Sequence, residues 1–93
     1  MSKDARTDDE RNVLRFFDDW ARSDASLLAQ YFTDDAVYTD IGEASRERGR
    51  TNIATYLTNL FDRCSLKIET LHIASRDDII FSERVDYIRM KSG

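Results

Sequence analysis

Two pairs of polar residues have the types and spacing to do chemistry. Tyr38 and Asp40 lie in Ala36-Val37-Tyr38-Thr39-Asp40-Ile41, and Arg84 and Asp86 lie in Phe81-Ser82-Glu83-Arg84-Val85-Asp86-Tyr87-Ile88-Arg89-Met90. Both runs read as strands, which send alternate side chains to opposite faces, so each pair shares a face. Arg84 and Asp86 share theirs with Ile80, Ser82, Ile88 and Met90. Charges flanked by isoleucine are costly on a dry face unless they pair. Two readings stay open: an exposed ion pair of little energetic weight, or the polar floor of an apolar small-molecule pocket. If both strands line one concavity, it holds two carboxylates, a guanidinium and a phenol. Such a set can do acid–base work, because like charges hold one carboxyl protonated while an arginine keeps the other ionised. Spacing alone does not bring the strands together.

The elements that must position these residues follow from periodicity. Residues 1–7 read as a loose tail. Thr7-Asp8-Asp9-Glu10 matches a capping box, and Val13, Phe16, Phe17, Trp20 and Ala21 recur at helical spacing behind it. Ser23-Asp24 breaks and re-caps the chain, and Leu27, Leu28, Tyr31 and Phe32 form the stripe of a second helix. After the first strand, Glu43 to Gly49 reads as a polar, solvated loop containing Arg46 and Arg48. Thr51-Asn52 can cap a third helix with the stripe Ile53, Tyr56, Leu57, Leu60, Phe61 and Cys64. Ser65 to Ser75 alternates, with Leu66, Ile68, Thr70, His72 and Ala74 facing one way and Lys67, Glu69, Leu71 and Ile73 the other. Arg76-Asp77-Asp78 turns it into Ile79–Met90 as an antiparallel hairpin. Helices on a sheet layer of this kind make an α+β fold.

Composition removes several function classes. A chain of 93 residues is one domain, 1–93, with 41% hydrophobic and 34% charged residues, so it is globular in type. A net charge of −4 without a basic cluster argues against nucleic acid as a partner. No apolar run reaches the length of a membrane span, and the first ten residues lack the apolar core of a secretory signal, so no membrane partner is expected. Cys64 is the single cysteine and His72 the single histidine, which excludes an internal disulfide and leaves no thiolate or zinc cluster. Cys64 reads as a small buried hydrophobe and His72 as a packed, satisfied histidine. The setting expected is cytoplasmic. No Gly-rich phosphate loop and no Ser/His/Asp set is present, and neither metal nor cofactor is expected.

Four runs carry a family resemblance: Val37-Tyr38-Thr39-Asp40-Ile41, Gly49-Arg50-Thr51-Asn52-Ile53, Leu71-His72-Ile73-Ala74-Ser75, and Ser82-Glu83-Arg84-Val85-Asp86. In order and spacing, from about Arg11 to Gly93, the chain resembles the limonene-1,2-epoxide hydrolases of the SnoaL-like, NTF2-like superfamily. The resemblance implies a curved mixed sheet, closed by helices into a cone-shaped pocket. It makes Asp86 the proton-donating acid and Arg84 the arginine that bridges two aspartates. Tyr38 matches a tyrosine that holds the attacking water, and Asp40 stands where the family has asparagine. The implied reaction is a one-step, metal-free opening of a small apolar epoxide by water. The family's second aspartate and its closing strands would lie beyond Gly93. An acid at Asp40 is therefore a candidate replacement for the missing base. The open sheet edge points to a homodimer, completed by strand pairing or swapping.

Two other readings compete. Asp40 in Tyr38-Thr39-Asp40-Ile41-Gly42 is also similar to the general-base aspartate of ketosteroid isomerases, although Phe16 sits where those enzymes carry a tyrosine. Alternatively, the domain is a non-catalytic small-molecule-binding or assembly module, since fold does not fix function.

Overall fold

The computed structural model describes residues 5–91. The loose tail expected over 1–7 lies outside the described residues at 1–4, but Arg6 and Thr7 are anchored. Helix α1 (Asp8–Asp19) starts where the Thr7 hydroxyl accepts the Glu10 backbone N–H at 3.0 Å. The Glu10 carboxylate reaches back to accept the Arg6 N–H at 2.8 Å, close to the reciprocal pattern of a capping box. The same carboxylate accepts the Ser75 hydroxyl, and this tie across the fold explains why Glu10 is buried. A 3₁₀ turn, Trp20–Arg22, ends the helix at left-handed Ser23. Asp24 then caps α2 (Ala25–Ala29) through the Leu27 N–H. Tyr31 and Phe32, expected on a helix, follow α2 in a tightening turn whose N–H groups bond Leu28 and Ala29 carbonyls three residues back.

Strand β1 (Val37–Asp40) does not lead into a loop. Ser45–Arg48 forms strand β2, paired antiparallel with β1 in the register Val37↔Arg48, Tyr38↔Glu47, Thr39↔Arg46 and Asp40↔Ser45. The polar loop expected from Glu43 to Gly49 is corrected to a turn plus a strand. Its alternating Ser-Arg-Glu-Arg pattern leaves both faces polar, so no hydrophobic alternation betrays it. Left-handed Ala44 closes the turn.

Helix α3 (Arg50–Arg63) begins one residue before the expected Thr51-Asn52 cap. Gly49, at φ 88°, swings the chain straight from β2 into the helix. The Arg50 guanidinium donates to the Phe32 carbonyl at 2.6 and 2.9 Å and pairs with Asp34 at 2.8 Å, pinning α3 to the end of the α2 turn. The α3 stripe packs as its periodicity demands: Ile53 and Leu57 are fully buried, with Leu60, Phe61 and Cys64 nearly so. With Phe17, Trp20, Leu28, Leu66 and Ile68 they make the core. The Cys64 thiol donates to the Leu60 carbonyl, consistent with a structural role.

Strands β3 (Cys64–Arg76) and β4 (Ile79–Met90) form the second antiparallel hairpin, Cys64 opposite Met90 and Arg76 opposite Ile79. A bulge between Thr70 and His72 makes Leu71 an extra residue and reverses the side-chain alternation beyond it. Ile73 therefore joins Leu66 and Ile68 on the buried face, and His72 turns outward. The packed histidine is thus corrected to an exposed one, paired with Glu83 at 2.8 Å.

Candidate functional site

The two polar pairs do meet. Tyr38 and Asp40 of β1 and Arg84 and Asp86 of β4 all line one cavity of about 630 Å³, walled by Phe16, Phe17, Trp20, Leu60, Leu66, Ile68 and Ile88. The β3–β4 register explains the β4 half: Ile68 lies opposite Asp86 and Thr70 opposite Arg84, so the charged pair continues the inward face of β3. A broader depression of about 710 Å³, bounded by Leu14, Asp18, Lys67, Glu69 and Tyr87, contains none of the four. It has its own polar groups, Asp18, Glu69, Lys67 and Tyr87, with the Tyr87 hydroxyl donating to Glu69 at 2.9 Å.

Within the cavity the groups are held by unequal means. Arg84 Nε donates to Asp86 Oδ1 at 3.3 Å, and its Cζ lies 4.8 Å from the Phe17 ring centroid. The ring face attracts the cation and fixes its plane against the cavity wall. Both side chains stay partly solvated, at 40% and 36% exposure, so the pair adds little stability by itself. Asp40 is tied on both oxygens: Oδ1 accepts the Glu43 backbone N–H, and Oδ2 accepts the Tyr56 hydroxyl, each at 3.2 Å. Burial and the Asp40 carboxylate push the Tyr56 phenol far up, which keeps it a donor. Tyr38 is raised for the same reasons, burial first and Asp40 next, with Arg84 partly opposing. Tyr38 therefore offers the cavity a protonated hydroxyl.

Helical periodicity places Tyr56 only on the α3 core stripe. The available signal was its chemistry, since a tyrosine on an apolar stripe needs a partner for its polar tip. Phe16 also lines the cavity, edge-on to Trp20 at 5.9 Å, but brings no hydroxyl. The Trp20 indole N–H is buried without a hydrogen-bond partner among the described residues. Among the described residues, no cluster of three or more His, Cys, Asp or Glu side chains could hold a metal ion. No helix there is long and apolar enough to cross a membrane.

The SnoaL-like domain model matches residues 13–93, nearly the whole chain. This chain belongs to the SnoaL-like domain family. Among solved structures, an LEH-like epoxide hydrolase from M. tuberculosis superposes with a TM-score of 0.75 at 26% identity, covering 87% of this chain and 60% of that one. A domain of unknown function with a cystatin-like fold, from Nostoc punctiforme, superposes at 0.67 and 20% identity, covering 91% and 58%. The second likeness concerns the fold alone. This SnoaL-like domain thus spans about three fifths of the length of these two proteins, and its α+β fold is of the NTF2-like kind.

Proposed function

We propose that this SnoaL-like domain, taken as one unit over residues 1–93, adds water to a small apolar epoxide in one step. The observation that supports the reading is the convergence of Tyr38, Asp40, Arg84 and Asp86 on one apolar-walled cavity. Water, held by the Tyr38 hydroxyl and Asp40, attacks a ring carbon. Its proton passes to Asp40 as the C–O bond breaks. Asp86 delivers a proton to the departing oxygen, and Arg84 steadies the carboxylate left behind. A diol leaves, and a proton returns from Asp40 to Asp86 through solvent. The likeness to an LEH-like epoxide hydrolase adds support at the level of the reaction class. We further propose that the domain acts as a cytoplasmic homodimer.

The test is diol formation from a panel of cyclic and terminal epoxides, with Asp86→Asn and Asp40→Asn as controls. Loss of turnover in both variants supports the assignment; full activity in Asp40→Asn removes Asp40 as base. A second reading has its own observation. Arg84 and Asp86 are more than a third exposed, an unusually wet setting for a general acid, and this favours a binding module that retains the pocket without turnover. Binding of apolar epoxides or diols by a folded sample that forms no product selects it.

A further inference from the structure

We propose that the epoxide taken by this cavity carries an aryl ring, which lies against Phe16 and Tyr38. This assignment rests on the hydrolase reading above and names its substrate class.

The cavity wall divides by chemistry as well as by element. Among the described residues, α1, the turn behind it and β1 supply the ring side chains Phe16, Phe17, Trp20 and Tyr38. β3 and β4 supply an aliphatic side with Leu66, Ile68 and Ile88. Keeping water from a reacting centre does not require such a division, because aliphatic side chains bury apolar surface as effectively as rings do.

Two of these rings are already engaged. Trp20 is buried, edge-on to Phe61 at 5.7 Å. Phe17 is buried too, with the Arg84 guanidinium over its face. Phe16 and Tyr38 are only partly buried, so the accessible ring surface of the cavity belongs mainly to them. Both stand edge-on to one further ring, Phe32, at 5.5 Å and 6.0 Å between centroids. Phe32 therefore sets the angle of both. Phe16 is braced again by Trp20, and Tyr38 by Tyr56. Rings held in this way present fixed faces and edges, so less ordering remains to be done when a ligand arrives. An aryl group laid against them gains the offset or edge-to-face attraction between rings beyond the area it buries. A saturated ring of like size gains the area alone. The position also suits the chemistry, since Tyr38 shares its strand face with Asp40. A ring against Tyr38 keeps the attached epoxide carbons beside the proposed base.

The experiment reads binding apart from turnover. Calorimetry compares phenyl ethanediol with cyclohexyl ethanediol, the products of the two parent epoxides. The cyclohexyl compound carries the larger apolar surface, so area alone ranks it first. The phenyl compound is expected to bind more tightly, by about two- to tenfold. Phe16→Leu keeps apolar bulk and removes the ring, so it is expected to erase that difference. Equal or reversed binding in the wild type overturns the assignment, as does binding of neither diol. A Phe16→Leu protein that keeps the preference overturns it as well. Should Phe16→Leu fail to fold, the wild-type comparison decides alone. Turnover of the two parent epoxides is measured beside it. Hydrolysis of neither removes the hydrolase reading, while tighter phenyl binding in the same sample upholds the ring recognition as that of a binding module.

Discussion

The Tyr56 hydroxyl on α3 donates to Asp40 Oδ2 on β1 across 3.2 Å, locking a cavity carboxylate to the helix that supplies Ile53, Leu57, Leu60 and Phe61 to the core. Asp40 occupies the last position of its strand, where a free side chain would rotate into the turn. Its second oxygen is fixed by the Glu43 N–H, so the carboxylate plane is held from both ends. Tyr56→Phe keeps the ring contact with Tyr38, 5.7 Å away between centroids, and removes only the hydroxyl. Loss of one hydrogen bond to a charged group should cost about 1.5–3 kcal/mol of positioning. Epoxide turnover in this variant should drop by about tenfold or more with KM little changed. Steady-state kinetics of Tyr56→Phe, with thermal melting as a fold control, check it.

Arg84 lies over the Phe17 ring as well as beside Asp86, and the two contacts make different demands on the side chain. A lysine can carry the charge but has neither the planar stack nor the fork. Arg84→Lys should therefore lose most activity while the melting temperature stays close to wild type, because the partly exposed pair adds little to stability. Phe17→Leu should destabilise the domain through its buried ring, by about 1 kcal/mol or more, and also loosen Arg84. Comparing denaturation midpoints with turnover in the two variants separates charge placement from packing. An Arg84→Lys enzyme as active as wild type would refute a specific role for the guanidinium.

Much of the architecture was legible because burial leaves a period in the sequence. The α3 stripe from Ile53 to Cys64 and the alternation of Leu66 and Ile68 are one-sided hydrophobic patterns, and each packs where its period points. The site was legible in part for the same reason, since period two put Tyr38 with Asp40 and Arg84 with Asp86 on shared faces. What escaped had no such pattern. β2 is polar on both faces, so its Ser45–Arg48 run reads as loop. The β3 bulge is set by pairing with β4, a long-range fact that shifts every later side chain by one face. Tyr56 was hidden by its own apolar ring, which satisfies the helix stripe while the hydroxyl serves Asp40.

The bulge has a measurable consequence at His72. Regular alternation would bury this side chain with Ile68, where truncation would be expensive. The structure instead exposes it beside Glu83. His72→Ala should change unfolding free energy by less than about 1 kcal/mol, within the range for exposed pairs. Ile73→Ala, one residue on and buried, should cost about 2–5 kcal/mol. Urea unfolding of the two variants checks the face reversal directly, and the opposite ranking would place the bulge elsewhere.

Glu10 links acid stability to the join between α1 and β3. Its carboxylate accepts the Ser75 hydroxyl, the Arg6 N–H and the support of the Thr7 cap, and these bonds hold its pKa below the ordinary 4.5. The folded state therefore binds this proton less readily than the unfolded chain does. The stabilisation is fully present above the ordinary glutamate value, and it is lost as pH falls through the lower, folded value. Between those limits stability should rise with pH, because the unfolded state carries more protons. Glu10→Gln keeps much of the shape but removes the titration, so its stability at neutral pH should be lower and its loss on acidification shallower. Denaturant midpoints for both proteins between neutral pH and pH about 3 test this. Parallel curves would mean that the bonds to Ser75 and Arg6 do not distinguish the folded carboxylate from the unfolded one.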